Sequence, residues 1–206
     1  MKLNNKRTIL VGLAFLSICA FWQMYDSIVP LILTKTFHMN ETFSGAIMAA
    51  DNILALFLLP FFGSVSDKSH SKLGKRMPFI LFGTGCAIIL MNILPLLDNS
   101  YAAQPSGFKT ASFVIVLGLL LVAMGTYRAP AVALMPDVTP KPLRSRANAI
   151  INLMGAVGGI LYLGVAAVLY PNSKTAGLDH VNYQPLFIVV SAIMFVAVAV
   201  LFLTIR

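Results

Sequence analysis

Six apolar runs, each long enough to cross a bilayer, dominate this chain. They fall at roughly 8–36, 43–65, 77–97, 112–136, 145–170 and 183–206, and a spanning helix needs about 20 mostly apolar residues. Hydrocarbon offers no water to backbone N–H and C=O groups, so each run must satisfy its own as a helix. The expected class is an all-α membrane protein. Composition agrees: 11% of the 206 residues are charged, against roughly 25% in soluble domains. Pro30, Pro60, Pro95 and Pro130 lie within or near helix ends, where membrane helices tolerate proline and usually kink.

The net charge of +8 does not point to nucleic acid, because the cations sit in connections between apolar runs and form no continuous face. Their distribution sets orientation instead. Eleven cations (Lys2, Lys6, Arg7, Lys68, Lys72, Lys75, Arg76, Lys141, Arg144, Arg146 and Arg206) fall in one set of connections, and three (Lys35, Lys109 and Lys174) in the other. The positive-inside rule then puts both termini in the cytoplasm. Cys19 and Cys86 lie inside apolar runs and read as small buried hydrophobes. The start resembles a secretory signal, but its apolar run continues far past a signal core and reads as a retained first helix.

Three ionisable residues lie within the runs: Asp26, Asp51 and Arg128. A charge at the bilayer centre costs a few kcal/mol or more, so such groups pair or line a wet cavity. At about 1.5 Å per residue, Asp26 lies ~15 Å below the outer end of the first helix and Asp51 ~12 Å below that of the second. Similar depth on adjacent helices suits two carboxylates sharing one proton, a group able to take up and release it. Arg128 lies deeper, ~24 Å from the outer end; its guanidinium suits sugar hydroxyls or a carboxylate. The plainer alternative is a static Asp–Arg pair holding helices together. Trp22, Gln23 and Tyr25 flank Asp26, and Asn52 adjoins Asp51. Asn92, Asn148, Asn152 and Tyr162 add polar groups on helices 3 and 5. Aromatic faces with hydrogen-bonding groups are what a sugar site needs.

The connection between the second and third runs is short and dense in charge: Gly63, Ser66, Asp67, Lys68, Lys72, Gly74, Lys75 and Arg76. Gly63 suits close approach of a neighbouring helix. Asp67, at a helix end, suits exposed N–H groups of a following helix, with Arg144 and Arg146 as its expected cationic partners. Lys72, Lys75 and Arg76 are expected to serve topology and lipid headgroups. Gly155 and Gly159, spaced by four, predict close helix contact. His38, His70 and His180 lie scattered outside the runs, with Asp98 and Asn99 in an expected external loop. There is no phosphate-binding Walker loop, no Ser-His-Asp set and no paired metal-ligand spacing, so no enzyme and no cofactor are expected.

The loop Gly63-x-x-Ser66-Asp67-Lys68 with Gly74-Lys75-Arg76 resembles the connection between helices 2 and 3 of major facilitator transporters. Its long Asp-to-Gly spacing is similar to that of the glycoside-cation and sucrose-proton symporter branch. Tyr127, Arg128, Pro130, Ala131, Ala133, Leu134 and Asp137 agree, as does the run Arg144, Arg146, Ala147, Asn148, Ala149. Two positions depart: Leu121 stands where sucrose-proton relatives carry an acid, and Arg128 where melibiose-type relatives carry Asp.

That resemblance implies six helices as two inverted three-helix repeats, half of a twelve-helix fold, with residues 1–206 as the N-terminal half. It implies secondary active transport by alternating access in the cell membrane, symport of a sugar or glycoside with a proton. The alternatives are a sodium-coupled carrier and a non-transporting half-carrier that needs a partner. Asp26 and Asp51 would couple the cation. Arg128, Trp22, Gln23, Tyr25, Asn52 and Asn152 would meet substrate. Gly63, Asp67, Arg144 and Arg146 would form a latch that opens as the carrier turns inward. The implied partners are a sugar, the lipid bilayer and a C-terminal half or second half-size subunit. Truncation of a longer carrier is the favoured reading, and a lone half is expected to be poorly stable or to self-associate.

Overall fold

The computed structural model describes residues 4–71, 73–175, 177, 178 and 180–204, without the side chains of 172 and 174. The expectations placed on Lys2, Lys72 and Arg206, and on the Lys174 side chain, fall outside the description. Among the described residues seven α-helices follow in order: α1 (Asn5–Leu31), α2 (Glu41–Asp67), α3 (Met77–Ala103), α4 (Gly107–Val138), α5 (Arg144–Leu169), the single turn α6 (Asn172–Thr175) and α7 (Gln184–Thr204). Six of them are long and apolar enough to cross a membrane.

Local chemistry sets the ends. The Asn4 side chain accepts the Arg7 amide at 3.2 Å, and Asn40 accepts that of Thr42 at 3.1 Å, the N-cap bonds that satisfy otherwise orphaned donors. Pro78 sits in the first turn of α3, where its missing N–H costs nothing. Gly74, at φ +90°, reverses the chain into α3 in a conformation most residues avoid. Beyond Pro30, α1 loosens into a π turn at Ile32–Thr36. α3 carries its helix through Asp98 and Asn99 to Ala103, so the expected external loop is helical there.

The packing has an internal symmetry. α1 packs on α5 and α7, α4 on α2 and α3, and α3 on α7. Exchange α1 with α4, α2 with α5 and α3 with α7, and this pattern maps onto itself. A repeat of three spans ends on the side opposite its start, so the second copy is inverted.

Glycine sets how closely two of these pairs meet. α5 buries one stripe, Ala147, Ile151, Gly155, Gly158 and Tyr162, at helical spacing. A Cβ on Gly158 would overlap the Leu16 carbonyl, and one on Gly155 would lie 2.9 Å from Cys19 Sγ. Gly159 has no such neighbour; its nearest contact would be Gln23 Oε1 at 3.8 Å. The close pair is thus Gly155 with Gly158, not Gly155 with Gly159, because the stripe facing α1 steps by three there. On α3, a Cβ at Gly83 would lie 2.7 Å from the Tyr127 amide nitrogen, so α3 and α4 meet backbone to backbone.

α1 is enclosed along most of its length, whereas α2 buries only Ser44 and Ser66. Phe43, Leu56, Phe57 and Phe61 of α2, with Leu153, Ile160 and Val168 of α5, stand open. The core lies along α1, α3, α4 and α7.

Candidate functional site

Trp22 of α1, Asp51 of α2 and Arg128 of α4 line one narrow slot, closed by Leu54, Leu58, Leu121 and Gly125. Its accessible volume is about 10 Å³, close to the smallest space that takes a water molecule. The Arg128 guanidinium carbon sits 5.5 Å from the Trp22 ring centroid, within cation–π range. Among the described residues Arg128 makes no ion pair. The static Asp–Arg pair is therefore not the arrangement found: an aromatic face takes the place of the carboxylate.

Asp26 is exposed on α1 and lies within electrostatic reach of Asp51. Tyr25, 1% exposed, lies within reach of both carboxylates. Its hydroxyl and the Trp22 indole N–H are buried without a hydrogen-bond partner among the described residues. Asn52 turns back on its neighbour, donating from Nδ2 to Asp51 Oδ1 at 2.8 Å. Gln23 and Asn152 are exposed, Gln23 on the side of α1 that meets Gly159 of α5. Two of the further polar candidates are committed to packing. Asn92 donates to Ser191 Oγ at 2.6 Å, joining α3 to α7, and Tyr162 lies in the core.

Sequence reasoning passed over what positions the slot. Tyr127 is wholly buried, 2.6 Å from Ser17 Oγ, and its hydroxyl also donates to the Ala14 carbonyl at 3.1 Å. These bonds tie α4 to α1 one residue before Arg128. A tyrosine next to an intramembrane arginine was the available signal.

The charged cluster at the α2–α3 connection has a different centre from the one expected. Arg76, 8% exposed, pairs with Asp67. Its Nε donates to Asp137 Oδ2 at 2.8 Å, and its Nη1 donates to Ser66 Oγ at 2.6 Å and the Gly63 carbonyl at 3.4 Å. Burial alone would lower the guanidinium's pKa; Asp137 first and then Asp67 outweigh it and raise the pKa above its ordinary value. One side chain thus joins the end of α2, the start of α3 and the end of α4.

Arg144 and Arg146 are not the partners of Asp67. Arg144 donates to the Pro136 carbonyl at 2.9 Å and the Thr139 carbonyl at 3.3 Å, closing the carbonyls at the end of α4 as a C-terminal cation does. Arg146 points outward and is exposed. Both stand in the first turn of α5. Gly63 also departs from expectation: a Cβ there would meet nothing within 4 Å, and its contribution is the carbonyl.

Arg76, Asp67 and Asp137 border a cleft of about 820 Å³ with Arg7, Lys75 and Phe202. At the opposite end of the bundle a second cleft, about 620 Å³, is lined by Lys35, Thr36, His38, Tyr101 and His180. Among the described residues there is no group of three or more His, Cys, Asp or Glu able to hold a metal ion.

Comparison with known proteins agrees with this architecture. The chain is 35% identical over 158 residues to sucrose transport protein SUC3 of Arabidopsis thaliana, covering 71% of this chain and 26% of that one. It is 36% identical over 154 residues to sucrose transport protein SUT3 of Oryza sativa subsp. indica, covering 68% and 30%. It is 25% identical over 179 residues to the alpha-ketoglutarate permease of Escherichia coli (strain K12), covering 85% and 38%. The matched segment is thus well under half the length of each relative. Residues 11–206 match the Major Facilitator Superfamily, and the chain, a multi-pass membrane protein, belongs to that family.

Proposed function

We propose that this chain forms the N-terminal six-helix half of a secondary active transporter that moves a sugar or glycoside together with a proton. The observation that carries the reading is the slot shared by Trp22, Asp51 and Arg128, charged groups on three helices around one space. Charge inside a membrane protein faces a bundle interior or a watered cavity. At about 10 Å³ the slot admits no sugar by itself, so substrate would lie across its mouth, against a facing surface. The open apolar faces of α2 and α5 would be covered by a C-terminal half or a second half-size subunit.

Asp26 and Asp51 are near enough for one proton to relieve their repulsion. In this reading they carry the coupling proton, while Arg128, steadied by Trp22, meets sugar hydroxyls. The orphaned Tyr25 hydroxyl and Trp22 N–H are further groups to be satisfied when the cavity fills. The Arg76 cluster would be the latch, closed in one state of the transport cycle and broken in the other. In this reading that end, with both termini, faces the cytoplasm, the side that positive loops favour.

The test uses the full carrier in sealed vesicles. Adding sucrose or a β-glucoside should alkalinise the medium, and Asp51→Asn should abolish that signal while leaving sugar binding in place. Unchanged sugar-driven alkalinisation with Asp26 and Asp51 both neutralised would overturn the coupling roles. Sodium-dependent uptake with no proton movement would replace the proton by sodium. Uptake of a dicarboxylate in place of sugar would replace the substrate class.

A further inference from the structure

The end of the bundle opposite Arg76 holds a buried carboxylate that the transport reading does not use. Asp98 is 0% exposed, and neither of its oxygens has a hydrogen-bond partner among the described residues. The Thr36 hydroxyl lies near it, and the His180 ring lies within its electrostatic reach. His180 is held on two sides: Nδ1 lies 3.3 Å from Thr36 Oγ1, and Nε2 lies 2.9 Å from Asn99 Oδ1. Asn99 also donates to Asn182 Oδ1 at 2.9 Å, and the Tyr170 hydroxyl donates to the Asn182 carbonyl at 2.8 Å. These bonds draw the α5–α7 connection onto the end of α3 and the π turn that ends α1.

The inverted repeat gives this cluster its meaning. Exchanging the repeats turns the α2–α3 connection into the α5–α7 connection, and the end of α4 into the end of α1. His180 therefore holds, at one end, the place that Arg76 holds at the other. Each joins a connection to the end of the first helix of the opposite repeat, and each borders a cleft. The chemistry differs. A guanidinium keeps its proton at any physiological pH, whereas an imidazole titrates there.

We infer that Asp98 and His180 form a single-proton site whose occupancy sets how tightly the α5–α7 connection is clasped to α3 and α1. With one proton, the pair is either a carboxylate beside an imidazolium or a carboxylic acid beside a neutral imidazole; both carry no net charge. A second proton leaves an imidazolium with no counter-charge, beside a cleft already lined by Lys35 and His38. Loss of the proton leaves a bare buried carboxylate, costly without partners. The clasp is tight in the middle of the pH range and loosens on both sides.

Other titratable groups do not take this role. Burial first, then the Asp98 charge, raises the Tyr183 phenol's pKa above its ordinary value, so it stays neutral. Lys109 of α4 is engaged by the Ser100 and Gln104 carbonyls at 2.7 and 2.9 Å. Tyr101 packs its ring on Phe37, with centroids 4.4 Å apart.

The experiment needs no transport. In the full chain, with Cys19 and Cys86 replaced by Ala, Leu178→Cys carries a spin label, and Leu73→Cys carries a control label at the opposite end. Label mobility in lipid nanodiscs is followed from about pH 4 to about pH 9, a range spanning ordinary carboxyl and imidazole titration. At Leu178→Cys mobility should pass through a minimum, while at Leu73→Cys it should stay flat. Asp98→Asn should lose the rise at alkaline pH and keep the acid one. His180→Gln should lose the acid rise and keep the alkaline one. A flat profile at Leu178→Cys, or both rises surviving in either variant, would overturn the inference. Should Asp98→Asn fail to fold, the parent profile and His180→Gln still decide it.

Discussion

The two repeats solve the same packing problem differently. The α1–α5 seam and the α4–α2 seam are equivalent by internal symmetry, yet the first is the closer, with backbone on backbone at Gly158. Gly158 admits the Leu16 carbonyl, Gly155 admits Cys19, and Gly12 admits Met154. In the second seam Gly125 of α4, the helix equivalent to α1, faces the Leu58 side chain at 3.2 Å where Gly12 of α1 faces that of Met154 at 2.7 Å, and the slot of Trp22, Asp51 and Arg128 opens beside Gly125. At its glycines the first seam leaves less than van der Waals room. The other keeps room for charge, and is fastened at its end by Arg76 instead of along its length. Equivalent topology therefore does not imply equivalent closeness; the charged slot lies beside the wider contact.

Substitutions can break or sharpen that contrast. The largest effect is expected at Gly158→Ala, where a backbone carbonyl must move; overpacking of this kind costs up to about 3 kcal/mol. Thermal unfolding in detergent reads it, and a midpoint equal to that of Gly159→Ala would remove the claim that the seam is closed. Next comes Arg76→Ala, which releases two carboxylates and a serine. Loss of charged hydrogen bonds suggests about 2 kcal/mol, with nothing measurable for Arg146→Ala; equal effects would return Asp67 to its sequence-expected partner. Smallest is Gly125→Ala. A flexible leucine can give by a few tenths of an ångström, and the helix gains up to about 1 kcal/mol from replacing glycine. Its unfolding midpoint should stay within error, and a large fall would show that the second seam is as tight as the first.

Much of this was legible before any coordinates. Length and hydropathy alone mark the spanning helices, because hydrocarbon leaves the backbone no alternative. Asp51, Arg128 and Trp22 stood out as polar groups within apolar runs, and they share a slot. What the chain did not disclose was pairing. Four cations, Lys68, Lys72, Lys75 and Arg76, follow Asp67 in the connection, and only the path of the loop through Gly74 selects Arg76. Asp98-Asn99-Ser100-Tyr101 reads as an external loop because it is polar, but α3 continues through it and buries the acid beside a histidine from a distant connection. The Gly155–Gly159 spacing matched a familiar pattern, yet the face toward α1 was set by the whole stripe, which selects Gly158.

Gly83 has an effect well beyond its own helix. It lets α3 lie directly on the amide of Tyr127, and Tyr127 is pinned on its other side by Ser17 and Ala14. Arg128 comes next in the chain, so the cation's coordinates are dictated by a residue that never borders the space it serves. A bulkier group at that distant spot would re-aim the guanidinium while leaving every cavity-lining side chain unaltered. Surveys confined to the lining would overlook such a control point.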